Sequence, residues 1–119
     1  MKRLQVLALA ALLGGCASIT VPAPVTETYR ALGTEPFWSV TIEAGRMTYG
    51  PADGAKIAVP APAPRPTFNG HRYETSRLTV DVIHSRCSDG MSDAIYADTV
   101  LVLIDGRRLS GCGGAVSRP

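Results

Sequence analysis

The segment TVLVLIDGRRLSGC, Thr99–Cys112, carries the clearest information about the fold. Thr99–Ile104 is almost continuously apolar, which is typical of a strand covered on both faces. Asp105 and Gly106 follow, and this pair favours a tight hairpin because its backbone accepts positive φ. Arg107–Cys112 then supplies the returning strand. The segment therefore predicts a β-hairpin.

Upstream of this hairpin, further segments have the character of strands. Phe37–Glu43 and Arg77–His84 alternate apolar and polar residues, which is typical of strands with one buried face. Arg46–Tyr49 follows the first of these after Ala44–Gly45, so the two make a second hairpin. Ala55–Val59 is short and contains β-branched residues, which indicates one more strand.

The segment Pro60–Pro66 breaks the strand pattern. It contains four prolines, which lack the N–H group that a sheet ladder needs, and it predicts an extended surface loop or edge. Asp93–Ala97 is long enough for one helical turn, and no longer helical segment is indicated. The pattern as a whole predicts an all-β domain, a small antiparallel β-barrel or sandwich of six to eight short strands.

The beginning of the chain has the organisation of a secretory signal. Two basic residues precede the apolar run Leu4–Leu13, which is too short to cross about 30 Å of hydrocarbon as a helix. Leu13–Cys16 resembles the bacterial lipobox, in which the cysteine is acylated and the signal is cut before it. We expect residues 1–15 to be a lipoprotein signal peptide and Cys16 to carry the lipid anchor. The alternative is an ordinary signal cut near Ala17, with a free thiol.

The lipid anchor determines the expected domain organisation and location. Residues 16–28 predict a lipidated cysteine and a flexible tether, and residues 29–119 predict the β-domain. Ala17 and Ser18 differ from the aspartate that resembles an inner-membrane retention signal in Gram-negative lipoproteins. We therefore expect a protein of the bacterial cell envelope, lipid-anchored in the outer membrane and facing the periplasm.

The charge balance argues against nucleic-acid binding. The chain contains 12 basic and 10 acidic residues. Removal of the signal takes Lys2 and Arg3, which leaves ten basic residues (12 − 2) against ten acidic ones. A net charge near zero excludes the basic surface that nucleic-acid binding requires.

The cysteines predict one disulfide bond. The chain contains three cysteines, and lipidation of Cys16 leaves Cys87 and Cys112 as a pair. In an oxidising compartment this pair most simply forms a disulfide. Closing a loop of about 25 residues stabilises the fold by roughly 3 kcal/mol on the chain-entropy estimate, so we expect a structural bridge.

Three motifs resemble those of a family of uncharacterised bacterial envelope lipoproteins. They are Gly33–Ser39 (GTEPFWS), Cys87–Asp93 (CSDGMSD) and Gly106–Cys112 (GRRLSGC). The resemblance covers most of residues 29–113. It implies a single small β-domain in the envelope, of a type sometimes fused to META or lysozyme-inhibitor-like modules, with a matching cysteine pair. It implies no catalytic residue.

The motifs also contain the candidate binding surface, which comprises Glu35, Phe37, Asp89, Met91 and Asp93. Clustered carboxylates attract hard cations, but Asp and Ser side chains in a glycine-containing loop commonly bond nearby backbone amides instead. A structural loop is the preferred interpretation, followed by a binding surface and then by a metal site.

The aromatic pair in the first motif is assigned by alternation. Trp38 shares a face with Val40 and Ile42, which predicts core packing. Phe37 then points the other way and is expected to be partly exposed.

Catalytic constellations are weak in this sequence. His84 lies three residues before Cys87, but a thiolate–imidazole site needs a reduced cysteine. His71 and His84 form no recognised zinc pattern with the cysteines, and neither Ser88 nor Ser92 lies in a nucleophile elbow. We expect no enzyme, no cofactor and no metal.

Two functional hypotheses follow. The first is a membrane-tethered binding module for an envelope ligand or protein, including an inhibitor-like role against a lysozyme-like partner. The second is a structural or stress-related envelope lipoprotein without a discrete ligand site.

Overall fold

The computed structural model describes residues 27–118, which form an all-β domain. The predicted signal peptide, Cys16 and most of the tether lie outside the described residues. Over 27–118 the chain contains no helix, and so none that is long and apolar enough to span a membrane. The strands are β1 (Tyr29–Thr34), β2 (Phe37–Glu43), β3 (Arg46–Pro51), β4 (Ile57–Pro60), β5 (Arg65–Thr67), β6 (Gly70–Glu74), β7 (Leu78–Ile83), β8 (Cys87–Ser88), β9 (Ile95–Ile104) and β10 (Arg107–Ser117).

The predicted all-β, antiparallel class is confirmed, with ten strands in place of six to eight. The difference comes from short strands, because β5 has three residues and β8 has two. Segments of this length are too short to show period-two alternation. The possible helical turn at Asp93–Ala97 is absent, since β9 begins at Ile95.

All ten strands belong to one antiparallel sheet in the order β4-β3-β2-β1-β10-β9-β7-β6-β5, with β8 also paired to β9. The edge strands β4 and β5 are joined by residues 61–64 alone. Five Cα–Cα steps span at most roughly 18 Å. The sheet therefore curls into a half-barrel that brings its two edges towards each other.

Each of the two edge strands of the half-barrel contains a proline. Pro60 ends β4 and Pro66 lies within β5, as expected for residues that interrupt edge pairing. The expectation of an extended loop or edge at Pro60–Pro66 is confirmed.

Both predicted hairpins are present, and each has two turn residues with positive φ. Ala44 and Gly45 join β2 to β3, and Asp105 and Gly106 join β9 to β10. This backbone matches the twist of the flanking strands.

The core fills the inner face of the curled sheet. It is built from alternate residues of the long strands, and each large apolar side chain buried there contributes about 1.5–3 kcal/mol relative to exposure. Its largest fully buried side chains are Met47, Leu78, Val40, Val80, Val82, Val100 and Val102.

Trp38 lies in this core, as the alternation predicted. A Cβ atom at Gly33 or Gly111 would overlap the indole. The ring therefore packs directly against the backbone of these two glycines. Within the described chain, the indole Nε1 has no hydrogen-bond partner.

The prediction that Thr99–Ile104 is covered on both faces is wrong. Val100, Val102 and Ile104 are buried in the core, but Leu101 and Leu103 point outwards with 39% and 44% of their surface exposed. Among residues 27–118, no second layer covers β9 at these two positions. The continuous apolar run therefore combines a core face with a half-open outer face.

Candidate functional site on the outer face

Three rows of side chains cross the centre of the outer face. The first row contains Leu32, Cys112, Thr99 and Ile83. The second contains Ser110, Leu101, Asp81 and Arg72, and the third contains Arg108, Leu103, Thr79 and Glu74. We call the first the cysteine row and the other two the leucine rows.

The segment Cys87–Asp93, which we call the disulfide loop, is bonded to the cysteine row at Cys112. The predicted disulfide is confirmed, with the Cα atoms of Cys87 and Cys112 5.4 Å apart. Thr34 Oγ1 donates to the Asp89 carbonyl over 3.4 Å, which joins the loop to β1. The next residue, Ala94, is fully buried. The loop is thus held at its start, middle and end.

Asp89 organises the interior of this loop. Its Oδ1 accepts hydrogen bonds from the backbone N–H groups of Met91 and Ser92, over 2.8 and 2.9 Å, and its Oδ2 accepts from the Ser92 hydroxyl over 3.1 Å. The bonds from Met91 and then Ser92 lower the pKa of the Asp89 carboxyl below its ordinary value. Asp89 therefore shapes the loop, while the Met91 side chain is exposed beside it.

The disulfide loop, the end of β1 and part of β9 and β10 line an open groove of about 500 Å³, which we call the loop groove. Glu35, Asp89 and Met91, from the predicted binding surface, line this groove together. Phe37 lies just outside it, paired with the lining residue Thr34. Asp93 is exposed beyond the groove and does not line it.

A second cavity, of about 750 Å³, runs over the leucine rows. This leucine groove contains Leu101 and Leu103 and shares Glu35 and Ser110 with the loop groove. The two grooves therefore form one continuous surface.

Charged residues border the leucine groove on several sides. Arg72 Nη2 lies 3.1 Å from Asp81 Oδ2 in an ion pair, and Glu74, Arg107 and Arg108 complete the lining charges. In the described part of the chain, the other carboxylate oxygen of Asp81 is buried without a hydrogen-bond partner. The surface thus offers apolar side chains in the centre and charges of both signs around them.

This arrangement suits non-covalent binding. Cys87 is bonded to Cys112, so the thiolate–imidazole alternative has no thiol. Among residues 27–118, no group of three or more His, Cys, Asp and Glu side chains is placed to hold a metal ion. Asp98, the next carboxylate along the chain after Asp93, is buried on the inner side of the sheet and so lies apart from Asp89 and Asp93.

Sequence reasoning missed a polar network at one end of the inner face. Tyr29 donates to Asp98 Oδ2 over 2.7 Å, and His84 Nδ1 lies 2.9 Å from Asp98 Oδ1. Burial, followed by the hydrogen bond to Asp98 and its charge, raises the pKa of Tyr29 well above its ordinary value.

Strand alternation could have placed these three residues on the inner side of the sheet, but it could not have shown that they meet. Tyr29, His84 and Asp98 each lie two positions from a buried residue, namely Ala31, Val82 and Val100. Period two therefore places all three on the inner side.

Searches of protein-family models, curated proteins and solved structures find no match to this chain.

Proposed function

We propose that this protein is a membrane-tethered binding module of the bacterial cell envelope, and that its partner is an envelope protein seated across the two outer grooves. One observation carries the proposal. Six large apolar side chains are exposed over residues 27–118, and four of them, Phe37, Met91, Leu101 and Leu103, lie in or directly beside these grooves. Exposed apolar patches with polar rims mark interaction sites.

The composition of the surface supports a protein partner. Met and Leu side chains line the grooves, Phe37 lies beside them, and arginines and carboxylates form the rim. Protein interfaces combine an apolar core enriched in aromatic residues, Met and Arg with a polar rim. The disulfide and the internal bonds of Asp89 hold one wall of the surface in place, which lowers the entropy lost on binding.

The proposed location rests on the sequence. The lipobox resemblance at Leu13–Cys16 supports acylation of Cys16, and the absence of a retention aspartate at Ala17 and Ser18 supports anchoring in the outer membrane. More than one acyl chain is needed for durable attachment, since each buried methylene contributes about 0.8 kcal/mol. A partner would then be a periplasmic protein or an invading hydrolase such as a lysozyme.

Site-specific photocrosslinking in intact cells tests the proposal. The full chain is produced with a benzophenone amino acid in place of Phe37 or Leu103, and adducts are identified by mass spectrometry. We expect one discrete protein adduct shared by both positions. Phe68 is the matched control, because it is fully exposed on the turn between β5 and β6 and lines neither groove.

A substitution then tests whether the adduct reports the surface. Leu103→Arg places a charge in the leucine groove and should abolish the adduct formed at position 37, while Phe68→Arg should leave it unchanged. Equal adducts from all three positions, or none from positions 37 and 103, would contradict a binding surface. They would favour the structural or stress-related alternative.

The inhibitor-like form of the proposal has its own assay. The detergent-solubilised full chain is added to a c-type lysozyme acting on cell walls. Inhibition that Leu103→Arg removes and Phe68→Arg preserves would identify a lysozyme-like partner. No inhibition would direct the proposal to a resident envelope protein.

A further inference from the structure

Two histidine rings lie close together on the inner side of the sheet. His71 on β6 and His84 after β7 have ring centroids 5.5 Å apart, with their planes tilted by 53°. The two residues are thirteen positions apart in the chain, and the strand pairing brings them together. His71 pairs with Val82, and His84 follows two residues later.

The orientation of His84 is controlled by Asp98. Oδ1 of this buried carboxylate lies 2.9 Å from His84 Nδ1, while Oδ2 accepts the Tyr29 hydroxyl. A carboxylate oxygen accepts hydrogen bonds, so Nδ1 of His84 carries the proton and the lone pair of the neutral ring lies on Nε2. Histidines that bind metal ions usually donate their other ring N–H to a carboxylate in this way, which fixes the tautomer and the orientation of the ring.

Two glycines make room for this support. A Cβ atom at Gly113 would lie 2.7 Å from the Tyr29 hydroxyl, and one at Gly114 would lie 2.5 Å from Asp98 Oδ2. Any side chain at these positions would displace the Tyr29–Asp98 bond. The arrangement around His84 is therefore built by strands β1, β9 and β10 together.

The nitrogens that remain are free within residues 27–118. Neither Nε2 of His84 nor either nitrogen of His71 forms a hydrogen bond there, and His84 has 54% of its side chain exposed. The Tyr73 ring meets His71 edge-on with centroids 5.5 Å apart, which restricts the orientation of the His71 ring. Two imidazole rings are thus held close together, and the His84 side chain is reached by solvent.

We propose that His71 and His84 form a two-imidazole site for a divalent transition ion such as Zn²⁺. Zn–N bonds of about 2.0–2.1 Å place the centroids of two rings on one ion roughly 5 Å apart, close to the observed separation. Solvent supplies the remaining ligands. Asp98 is a positioning residue for His84 and does not touch the ion.

The donor set determines which ions bind. Imidazole nitrogen favours Zn²⁺, Ni²⁺ and Cu²⁺ and disfavours Mg²⁺ and Ca²⁺, which prefer oxygen. Cu²⁺ should bind more tightly than Zn²⁺, as expected for nitrogen ligands. Two protein ligands make an open and exchangeable site, which suits ion sensing or transfer better than structural support.

Calorimetry with the full chain, solubilised in detergent and carrying no polyhistidine tag, tests this site. Zn²⁺ is titrated at neutral pH, with Mg²⁺ as the control ion. We expect one Zn²⁺ per chain and no heat from Mg²⁺. His71→Ala and His84→Ala should each abolish binding, while Asp53→Asn, an exposed change outside both outer grooves, should preserve it.

The positioning role of Asp98 is tested separately. Asp98→Asn should weaken Zn²⁺ binding by roughly 10–100-fold. Tyr29→Phe keeps the carboxylate and should weaken binding less, and it serves as the second variant if Asp98→Asn unfolds. The imidazole nitrogen NMR spectrum provides an independent readout, since it should show the Nδ1–H form of His84 without metal and a shift of Nε2 with Zn²⁺.

Several results would overturn the site. They are an absence of Zn²⁺ binding to the wild-type chain, binding unchanged in both histidine variants, or an Nε2–H form of His84. The test is independent of the proposed partner, because His71 and His84 line neither outer groove. Adducts at position 37 should persist in His71→Ala.

Discussion

The inner and outer faces of this sheet are built from the same strands and have opposite properties. On β9, Val100 and Val102 are buried in the core, while Leu101 and Leu103 between them are exposed by 39% and 44%. Apolar residues occupy both faces, but the inner ones are enclosed by the curl of the sheet. On the outer face of residues 27–118, the disulfide loop reaches the cysteine row, and Leu101 and Leu103 remain exposed. Hydrophobicity alone therefore does not distinguish core from surface in this strand.

The largest expected loss of stability comes from a substitution in the core on the inner face. Trp38→Ala should lower the free energy of unfolding by about 3–5 kcal/mol, since it leaves a cavity over Gly33 and Gly111. Phe37 precedes Trp38 and lies on the opposite face. Phe37→Ala should change the free energy of unfolding by no more than about 0.5 kcal/mol. Urea denaturation followed by circular dichroism measures both variants. Tryptophan fluorescence is unsuitable, because Trp38 is the one tryptophan of the chain and Trp38→Ala removes it.

Trp38→Phe provides a milder change if Trp38→Ala does not fold. Similar losses of unfolding free energy for Phe37→Ala and Trp38→Ala would show that the outer face is also covered. That result would contradict the difference in burial between the two faces.

The next effect concerns the covering of the outer face. Replacement of Cys87 and Cys112 by alanine should lower the free energy of unfolding by roughly 3 kcal/mol on the chain-entropy estimate. Hydrogen exchange should increase most in the disulfide loop and little at the core residue Val80. Reduction of the wild-type chain is the matched control, because it opens the bond without removing the sulfur atoms. Uniformly faster exchange on both faces would contradict a local role of the bridge.

The smallest effect concerns the polar end of the inner face. Tyr29→Phe leaves Asp98 Oδ2 without its donor and should cost about 1–3 kcal/mol at neutral pH. The raised pKa of Tyr29 also has an alkaline consequence. Below the ordinary value of 10.0 the phenol is protonated in both states, and above it the unfolded chain ionises first, so stability falls as pH rises.

Urea denaturation from about pH 8 to about pH 11 measures this slope. Tyr29→Phe should flatten it. Tyr73, whose pKa is also raised by burial, should account for part of the remaining slope. An unchanged slope in Tyr29→Phe would show that Tyr29 is not the group responsible.

Much of the fold could be predicted because the relevant signals are local. Alternation identified the strands around Trp38 and Val80, and two-residue turns identified both hairpins. The shortest strands could not be found this way, because β8 has only two residues and forms through pairing with Tyr96 and Ile95.

The candidate site could be predicted only in part. The motif residues Glu35, Asp89 and Met91 do line one groove. The role of Asp89 could not be predicted uniquely, because an Asp in a glycine-containing loop can bond either backbone amides or a ligand. The leucine groove was missed because a continuous apolar run indicates burial on both faces whether or not a second layer exists.

The sequence by itself determined the all-β class, the two hairpins, the inward position of Trp38 and the cysteine pairing. Each of these depends on residues near one another in the chain or on the count of one residue type. Only the tertiary structure decided how the sheet curls, which leucines remain exposed, and that Tyr29, Asp98, His84 and His71 meet. Those features depend on the order and register of strands that are distant in the chain, and alternation along a single strand carries no information about its neighbours.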